Sequence, residues 1–341
     1  MLYRAVRPLL FALDPESAHS LSLDCLDILS RLGAAPLLAC PAPRIPVRAM
    51  GLDFPNPVGL AAGMDKDGEH VDSLAGLGFG FLEVGAVTPR PQPGNPGPRV
   101  FRLPEAEALI NRLGFNSRGV DAFVENIGRA RSPIVTGVNI GKNAETPNEK
   151  ALEDYVACLR KVYPHADFVT ANLSSPNTKN LRDLQRADEL DAFLSVLVAE
   201  RDRLAAAYRR RVPLAVKVSP DLDDAGIAAA ADRIAARGID AVIATNTTVS
   251  REGVAHLANG GEQGGLSGAP LKARATAVVG KFRRALPASI AIIGVGGIAS
   301  AADAREKLDA GASLVQLYTA LIYRGPGLVG EIVRGLAAGG P

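Results

Sequence analysis

Tryptophan is absent, and the chain has only three cysteines, four histidines and three methionines; aromatic residues occupy 5% of its 341 positions. Cys25, Cys40 and Cys158 are odd in number and lack metal-like spacing, which suits a reducing compartment and argues against a disulfide framework or a zinc site. His19, His70, His165 and His256 form no H-E-x-x-H pair, so no metal is expected. With 38 basic and 36 acidic residues the net charge is +2, which gives no electrostatic reason to expect nucleic acid. No apolar run reaches the ~18 residues that would span a bilayer. Lysine is scarce among the basic residues, so a lysine inside an apolar run is informative. The remaining composition, 47% apolar and 22% charged, is that of a globular chain able to bury a large core. The length suits two domains, or one α/β barrel with an addition.

At the N-terminus Arg4, Arg7 and the run ending Leu37-Leu38-Ala39-Cys40 have the outline of a lipoprotein signal. Asp14, Glu16, Asp24 and Asp27 interrupt what would be its uncharged core, which argues against it. Two amphipathic helices fit better. Leu2, Val6, Leu9, Leu10 and Leu13 recur near helical period, with Pro8 as a kink or helix start. Asp14 suits an N-cap and Pro15 a first helical residue, and Ala18, Leu21, Cys25, Leu29 and Leu32 make the next stripe. The Pro-rich stretch Pro36 to Pro46 reads as a linker. Pattern alone admits either a helical hairpin packed on the main domain or an interfacial element that touches lipid or admits a lipid-soluble ligand.

From residue 57 onward short apolar runs alternate with helical patterns such as Leu190–Tyr208 and Asp224–Arg237. The strand candidates are Val58–Ala62, Phe81–Gly85, Ile134–Ile140, Asp167–Asn172, Leu214–Val218, Ala241–Asn246, Ile290–Val295 and Leu314–Tyr318. Their near-continuous apolar character is that of parallel strands covered on both faces. Eight such units predict an α/β fold, a (β/α)8 TIM barrel, with a Pro/Gly-rich insert from Thr88 to Gly119 between the second and third strands.

Polar residues gather where the runs end: Gly63 to Lys66, Asn139, Asn172, Lys217, Thr245-Asn246, Gly296-Gly297 and Tyr318-Thr319. In a barrel these ends share the catalytic face. Polar loops alone explain one or two such positions, but less readily a lysine closing an apolar strand or three strands ending in asparagine. The Gly294 to Ala299 run matches G-x-G-x-x-A, yet it follows the seventh strand. That position favours a barrel phosphate site, where backbone N–H groups hold the anion, over a Rossmann fingerprint. Asn111, Asn172, Asn177 and Asn246 offer both donors and acceptors and suit a pyrimidine-like ring, although any one alone reads equally as a turn residue. Lys66 suits a substrate carboxylate, and Lys217 a cofactor atom that gains negative charge on reduction. In the Asn172 to Thr178 loop a hydroxyl pair forms either an ST-turn or a proton acceptor; no strand-end histidine is available for a hydrolase triad.

These segments carry a resemblance. Asn56 to Lys66, Thr88 to Pro96, Asn111 to Asn116, Asn139 to Asn143, Asn172 to Thr178, Lys217 to Asp221, Thr245 to Thr247, Gly264 to Gly268, Gly294 to Ile298 and Gln316 to Thr319 resemble, in order and spacing, the class 2, quinone-linked and membrane-associated dihydroorotate dehydrogenases. The likeness spans essentially the whole chain. It implies oxidation of (S)-dihydroorotate to orotate in pyrimidine synthesis, with FMN as first acceptor and a membrane quinone as second. By position it implies Ser175 as the base for the C5 proton and Thr178 as part of its relay. Substrate contacts are implied at Lys66, Asn111, Arg112, Leu113, Gly114, Phe115, Asn172, Asn177, Asn246 and Thr247. Flavin contacts are implied at Ala62, Gly63, Met64, Asp65, Lys66, Ala86, Asn139, Asn172, Lys217, Thr245, Gly268, Gly297, Tyr318 and Thr319.

The soluble class uses a cysteine as base where Ser175 stands, and residues 1–40 correspond to the extension that forms the quinone tunnel, with His19, Arg102 and Tyr318 at its inner end. Residues 41–341 would then be the FMN-binding barrel domain, held peripherally on the cytoplasmic side of the cell membrane, with no nucleic-acid partner. One departure is Ala86, where related members often carry a hydroxyl; the missing hydrogen bond would cost about 1 kcal/mol. Two other readings are a flavin barrel acting on tRNA, as in dihydrouridine synthases, which the near-neutral charge disfavours, and a non-catalytic barrel that binds a phosphorylated metabolite.

Overall fold

The computed structural model describes residues 2–34, 38, 42–178 and 181–339. Cys40 and part of the expected Pro36–Pro46 linker lie outside the described residues. Eight parallel strands, Val58–Leu60, Phe81–Val87, Val135–Ile140, Phe168–Asn172, Leu214–Val218, Ala241–Ala244, Ala291–Val295 and Leu314–Leu317, close into a barrel. Each pairs with the next in chain order, and the eighth pairs with the first, Gln316 opposite Gly59. Every expected strand is present, with ends moved by no more than two residues.

The barrel is filled in layers. Phe54, Phe81 and Phe168 pack edge to face, with ring centroids 5.3 and 6.2 Å apart, and occupy its N-terminal half. Phe54 arrives on a short hairpin, Val47–Ala49 with Leu52–Phe54. Glycine is required opposite these rings: a Cβ on Gly137 would stand 2.0 Å from the Phe168 ring, and one on Gly59 2.3 Å from Phe81. The polar interior residues are therefore confined to the C-terminal half, which is where the strand-end residues open.

The Thr88–Gly119 insert is more ordered than its Pro/Gly content suggests. Val100–Leu103 and Ala108–Asn111 pair antiparallel and are joined by Gly265–Gly268 from beyond the sixth barrel strand. Strands of four residues leave too short a period to read from sequence. This small sheet brings Asn111 and Ser267 to the barrel mouth.

Helices α1 (Leu2–Ala12) and α2 (Pro15–Arg31) form the N-terminal hairpin. Asp14 caps α2 by accepting from the Glu16 and Ser17 N–H groups at 3.0 Å, and Pro15 is its first residue. Pro8 lies inside α1. The stripe expected on α2 needs correction: Ala18, Leu23 and Leu26 face the protein, whereas Leu21, Cys25 and Leu32 are exposed. Polar clips set this rotation. Glu16 pairs with Arg99 at 2.8 Å, and Asp27 accepts from His70 at 2.9 Å and from the Ser73 hydroxyl. Periodicity finds apolar stripes but cannot say which one the protein covers. Val6 and Leu9 on α1, Leu13 just after it, Leu21 and Ile28 on α2 and Leu32 at its C-cap are left to solvent, Leu9 and Leu32 at more than 70% exposure.

Candidate active site

The C-terminal mouth of the barrel holds a cleft. Its wall is built from strand ends: Asn172 and Lys217 close the fourth and fifth strands, Thr245 and Asn246 follow the sixth, and Gln316, Tyr318 and Thr319 end the eighth. The carboxamides are linked. Asn246 Nδ2 donates to Asn172 Oδ1 at 3.2 Å and to Ser174 Oγ at 3.1 Å, and Asn172 Nδ2 donates to Asn139 Oδ1 at 3.1 Å. Across the cleft Asn177 Nδ2 donates to Asn111 Oδ1 at 3.2 Å. Ser175 lines the cleft, and its Oγ accepts the Asn177 N–H at 3.2 Å.

Ala62, Gly63 and Lys66 lie along one side, with Ala86, Leu113, Gly114 and Phe115, and Thr247 stands beside Asn246. Lys66 Nζ donates to Asn116 Oδ1 at 2.5 Å. Burial lowers the Lys66 pKa to about 8, and the nearby Arg99 adds to the effect. Burial alone pushes the Tyr318 phenol up to about 12, so it stays protonated, with its hydroxyl 3.4 Å from the Gly63 carbonyl. At the far end Gly268, Gly296 and Gly297 hold φ of 102°, 117° and 70°, which only glycine adopts freely and which turn backbone toward the cleft. Thr319 Oγ1 donates to Ser267 Oγ there at 2.8 Å.

Seven expected site residues do not line this cleft. Asn139 sits behind Asn172 as its hydrogen-bond partner. Asp65 turns its carboxylate onto the Glu69 and His70 N–H groups at 3.0 and 2.8 Å, shaping the loop that carries Lys66; burial raises its pKa. Met64 packs into the outer core, and Thr178 is buried in the Ser175 loop. Arg112 is the clearest departure. Backbone alternation sends it outward from Asn111, to Glu262 at 2.6 Å and over the Phe101 ring at 4.6 Å. His19 and Arg102 belong to the hairpin junction. His19 meets the Met64 backbone, and burial lowers its pKa. Arg102 donates to the Leu10, Phe11 and Leu13 carbonyls at the end of α1, with its guanidinium over the Phe11 ring at 4.8 Å.

Two residues the sequence reading missed organise the site. Glu83, fully buried in the second strand, accepts from Asn139 Nδ2 at 2.7 Å and Gln316 Nε2 at 2.8 Å, with Lys217 Nζ 3.7 Å away. Arg182 ties the Ser174 and Thr247 carbonyls to Asp221, at 3.1, 2.9 and 2.8 Å. A lone carboxylate in an apolar strand is the same signal that singled out Lys217; Arg182 had no such signal, since its partners come together only in the fold.

A closed parallel barrel that gathers carboxamides, two lysines, a hydroxyl and a glycine-rich backbone cradle at its C-terminal mouth is a (β/α)8 enzyme site for a small polar molecule. The family model for dihydroorotate dehydrogenase matches residues 44–339, and the chain belongs to that family. It is 60% identical over 337 residues to a dihydroorotate dehydrogenase (quinone) from Chromobacterium violaceum, covering 99% of this chain and 98% of the relative. It is 58% identical over 340 residues to one from Thiobacillus denitrificans, covering 99% of this chain and all of the relative. Among solved structures, the Eimeria tenella enzyme in complex with ferulenol superposes with a TM-score of 0.85 at 38% identity, covering 95% of this chain and 90% of that one.

Proposed function

We propose that the chain oxidises (S)-dihydroorotate to orotate, with FMN as resident cofactor and a membrane quinone as final electron acceptor. The observation that carries this is the convergence of Lys66, Lys217, Ser175 and four asparagines on one cleft. The residues fit FMN. Gln316 Oε1 is buried at the cleft with no protein partner, and glycines with positive φ present backbone where a phosphate would sit. Ala62, Gly63, Lys217, Thr245, Gly268, Gly297, Tyr318 and Thr319 would hold it; Ala86 offers no hydroxyl. When bound, FMN supplies the acceptor for the hydride that leaves C6.

The chain's own groups do the rest. Lys66 pairs with the substrate carboxylate. Asn111, Asn177 and Asn246 meet the alternating N–H and C=O groups of the pyrimidine. Ser175 Oγ takes the C5 proton, which is acidified by the adjacent carbonyl, and asparagine donors aimed at that oxygen stabilise the developing enolate. Thr178 is assigned to the relay that drains the proton. The hairpin, clipped to the barrel by polar contacts with an apolar face outward, would rest on the cytoplasmic side of a membrane and admit quinone past His19, Arg102 and Tyr318. No helix among the described residues is long and apolar enough to cross a membrane, in keeping with peripheral contact.

The test is the visible spectrum of the purified protein. A yellow band that bleaches on anaerobic addition of dihydroorotate is the expected result; a protein that cannot be loaded with FMN, or a band that dihydroorotate leaves unchanged, overturns the reading. A pH prediction follows from Lys66. Its ammonium is needed for the carboxylate and is lost as pH rises through about 8. Orotate affinity should therefore fall about tenfold between pH 7 and 9. Lys66→Arg should flatten that profile, because guanidinium stays charged. Static titration of the flavin spectrum checks both.

A further inference from the structure

Glu83 lies on the second barrel strand, sealed from below by the Phe81 and Phe168 rings. Its carboxylate receives groups from the third, fifth and eighth strands, and the Ala62 N–H approaches at 3.4 Å. A carboxylate only accepts, whereas each carboxamide can turn either its oxygen or its NH2 toward a neighbour. Contact with Glu83 therefore decides which way the amides point. Asn139 must present Nδ2 to Glu83, so its Oδ1 faces Asn172 Nδ2; Asn172 Oδ1 is then free to accept from Asn246 Nδ2 and from Ser174 Oγ at 3.3 Å. On the other arm Gln316 gives Nε2 to Glu83, which leaves Oε1 as an unpaired acceptor at the cleft.

We propose that Glu83 is a positioning residue: the acceptor-only anchor that sets the donor and acceptor polarity of Asn139, Asn172, Asn246 and Gln316, and through them the pattern the cleft offers to a pyrimidine and a flavin. This rests on the functional reading above. A plain charge partner for Lys217 would not require any amide to point in a particular direction.

Glu83→Gln separates the two roles, because it keeps the shape but confronts two amide donors with a single acceptor. In the holoenzyme, orotate affinity read from the flavin spectrum should fall at least about fivefold. The double variant Glu83→Gln/Asn139→Asp restores the polarity. The carboxylate introduced at position 139 accepts both from the new amide at position 83 and from Asn172, and the oxygen of that new amide accepts from Gln316. Orotate affinity should then return to within about threefold of wild type, although Lys217 still lacks its carboxylate at position 83. A smaller loss in the single variant, or a loss the second substitution leaves unrepaired, overturns the proposal. If Glu83→Gln does not accumulate as folded holoenzyme, the double variant decides alone: folded and binding orotate, it supports the role; unfolded or non-binding, it overturns it. A wild-type protein that takes up neither FMN nor orotate removes the functional reading and this proposal together, whereas normal wild-type binding with an indifferent Glu83→Gln removes only the positioning role.

Discussion

Ser175→Ala is expected to keep FMN and orotate affinity near wild type and to slow flavin reduction by dihydroorotate at least about 100-fold, the scale of a positioned general base. The Ser175 hydroxyl lines the cleft and its lone pair already faces one N–H donor, that of Asn177 at 3.2 Å, so alanine removes the proton acceptor with little change in shape. Anaerobic stopped-flow reduction measures it; an unchanged single-turnover rate would remove Ser175 from the role. A serine alkoxide is costly, so the wild-type reduction rate at saturating substrate should rise from pH 5 to 10 as the relay gives up its proton more readily. This rise in rate is separable from the loss of affinity assigned to Lys66, since saturation hides the second effect and dilute substrate reveals it. A flat rate profile with chemistry limiting would count against a relay through Ser175.

Deleting residues 1–40 is the second large effect. Flavin reduction should proceed as in the full chain, because the cleft is built from barrel ends and the small sheet, while reoxidation by long-chain quinones should fall by an order of magnitude or more. Among its described residues the hairpin buries Ala18, Leu23 and Leu26 of α2 and sets the Phe11 ring edge to face on Tyr323 at 5.4 Å; its other ties include polar ones, Tyr3 to the Ile322 carbonyl, Arg7 to the Tyr323 carbonyl, Arg102 to the end of α1 and Arg99 to Glu16. Removing it uncovers the patch of barrel wall beneath those side chains. What it takes away is an outward row of leucine, isoleucine and valine side chains that is larger than a water-facing helix pair needs. Short water-soluble quinones should remain competent acceptors. Normal turnover of the truncated protein with long-chain quinones would end the tunnel proposal. Loss of reduction as well would show that the hairpin supports the site through the Asp27–His70 and Glu16–Arg99 contacts beside Lys66.

The barrel was legible in the sequence because strands covered on both faces must be apolar along their whole length, and eight such runs alternated with helical patterns. The glycine turns and the strand-end lysine were legible for a related reason: few residues tolerate those backbone angles, and few occasions bring a lysine to the end of an apolar strand. The sequence could not say which way a side chain turns once neighbours compete for it. The resemblance implies a substrate contact at Arg112 beside Asn111, but adjacent residues on extended backbone point to opposite sides, and Glu262, 150 positions away, holds the Arg112 side chain outside the cleft. The stripe on α2 failed likewise, because the Asp27 and Glu16 contacts that set the helix rotation join residues 43 and 83 positions apart. Glu83 is the sharpest case. Its identity is plain in the sequence, yet its meaning exists only where the third, fifth and eighth strands bring Asn139, Lys217 and Gln316 around it. Local chemistry determined which elements form and which residue types the mouth of the barrel carries; closure of the barrel alone decided which groups meet, because hydrogen bonds and ion pairs act over a few ångströms in space and are indifferent to distance along the chain.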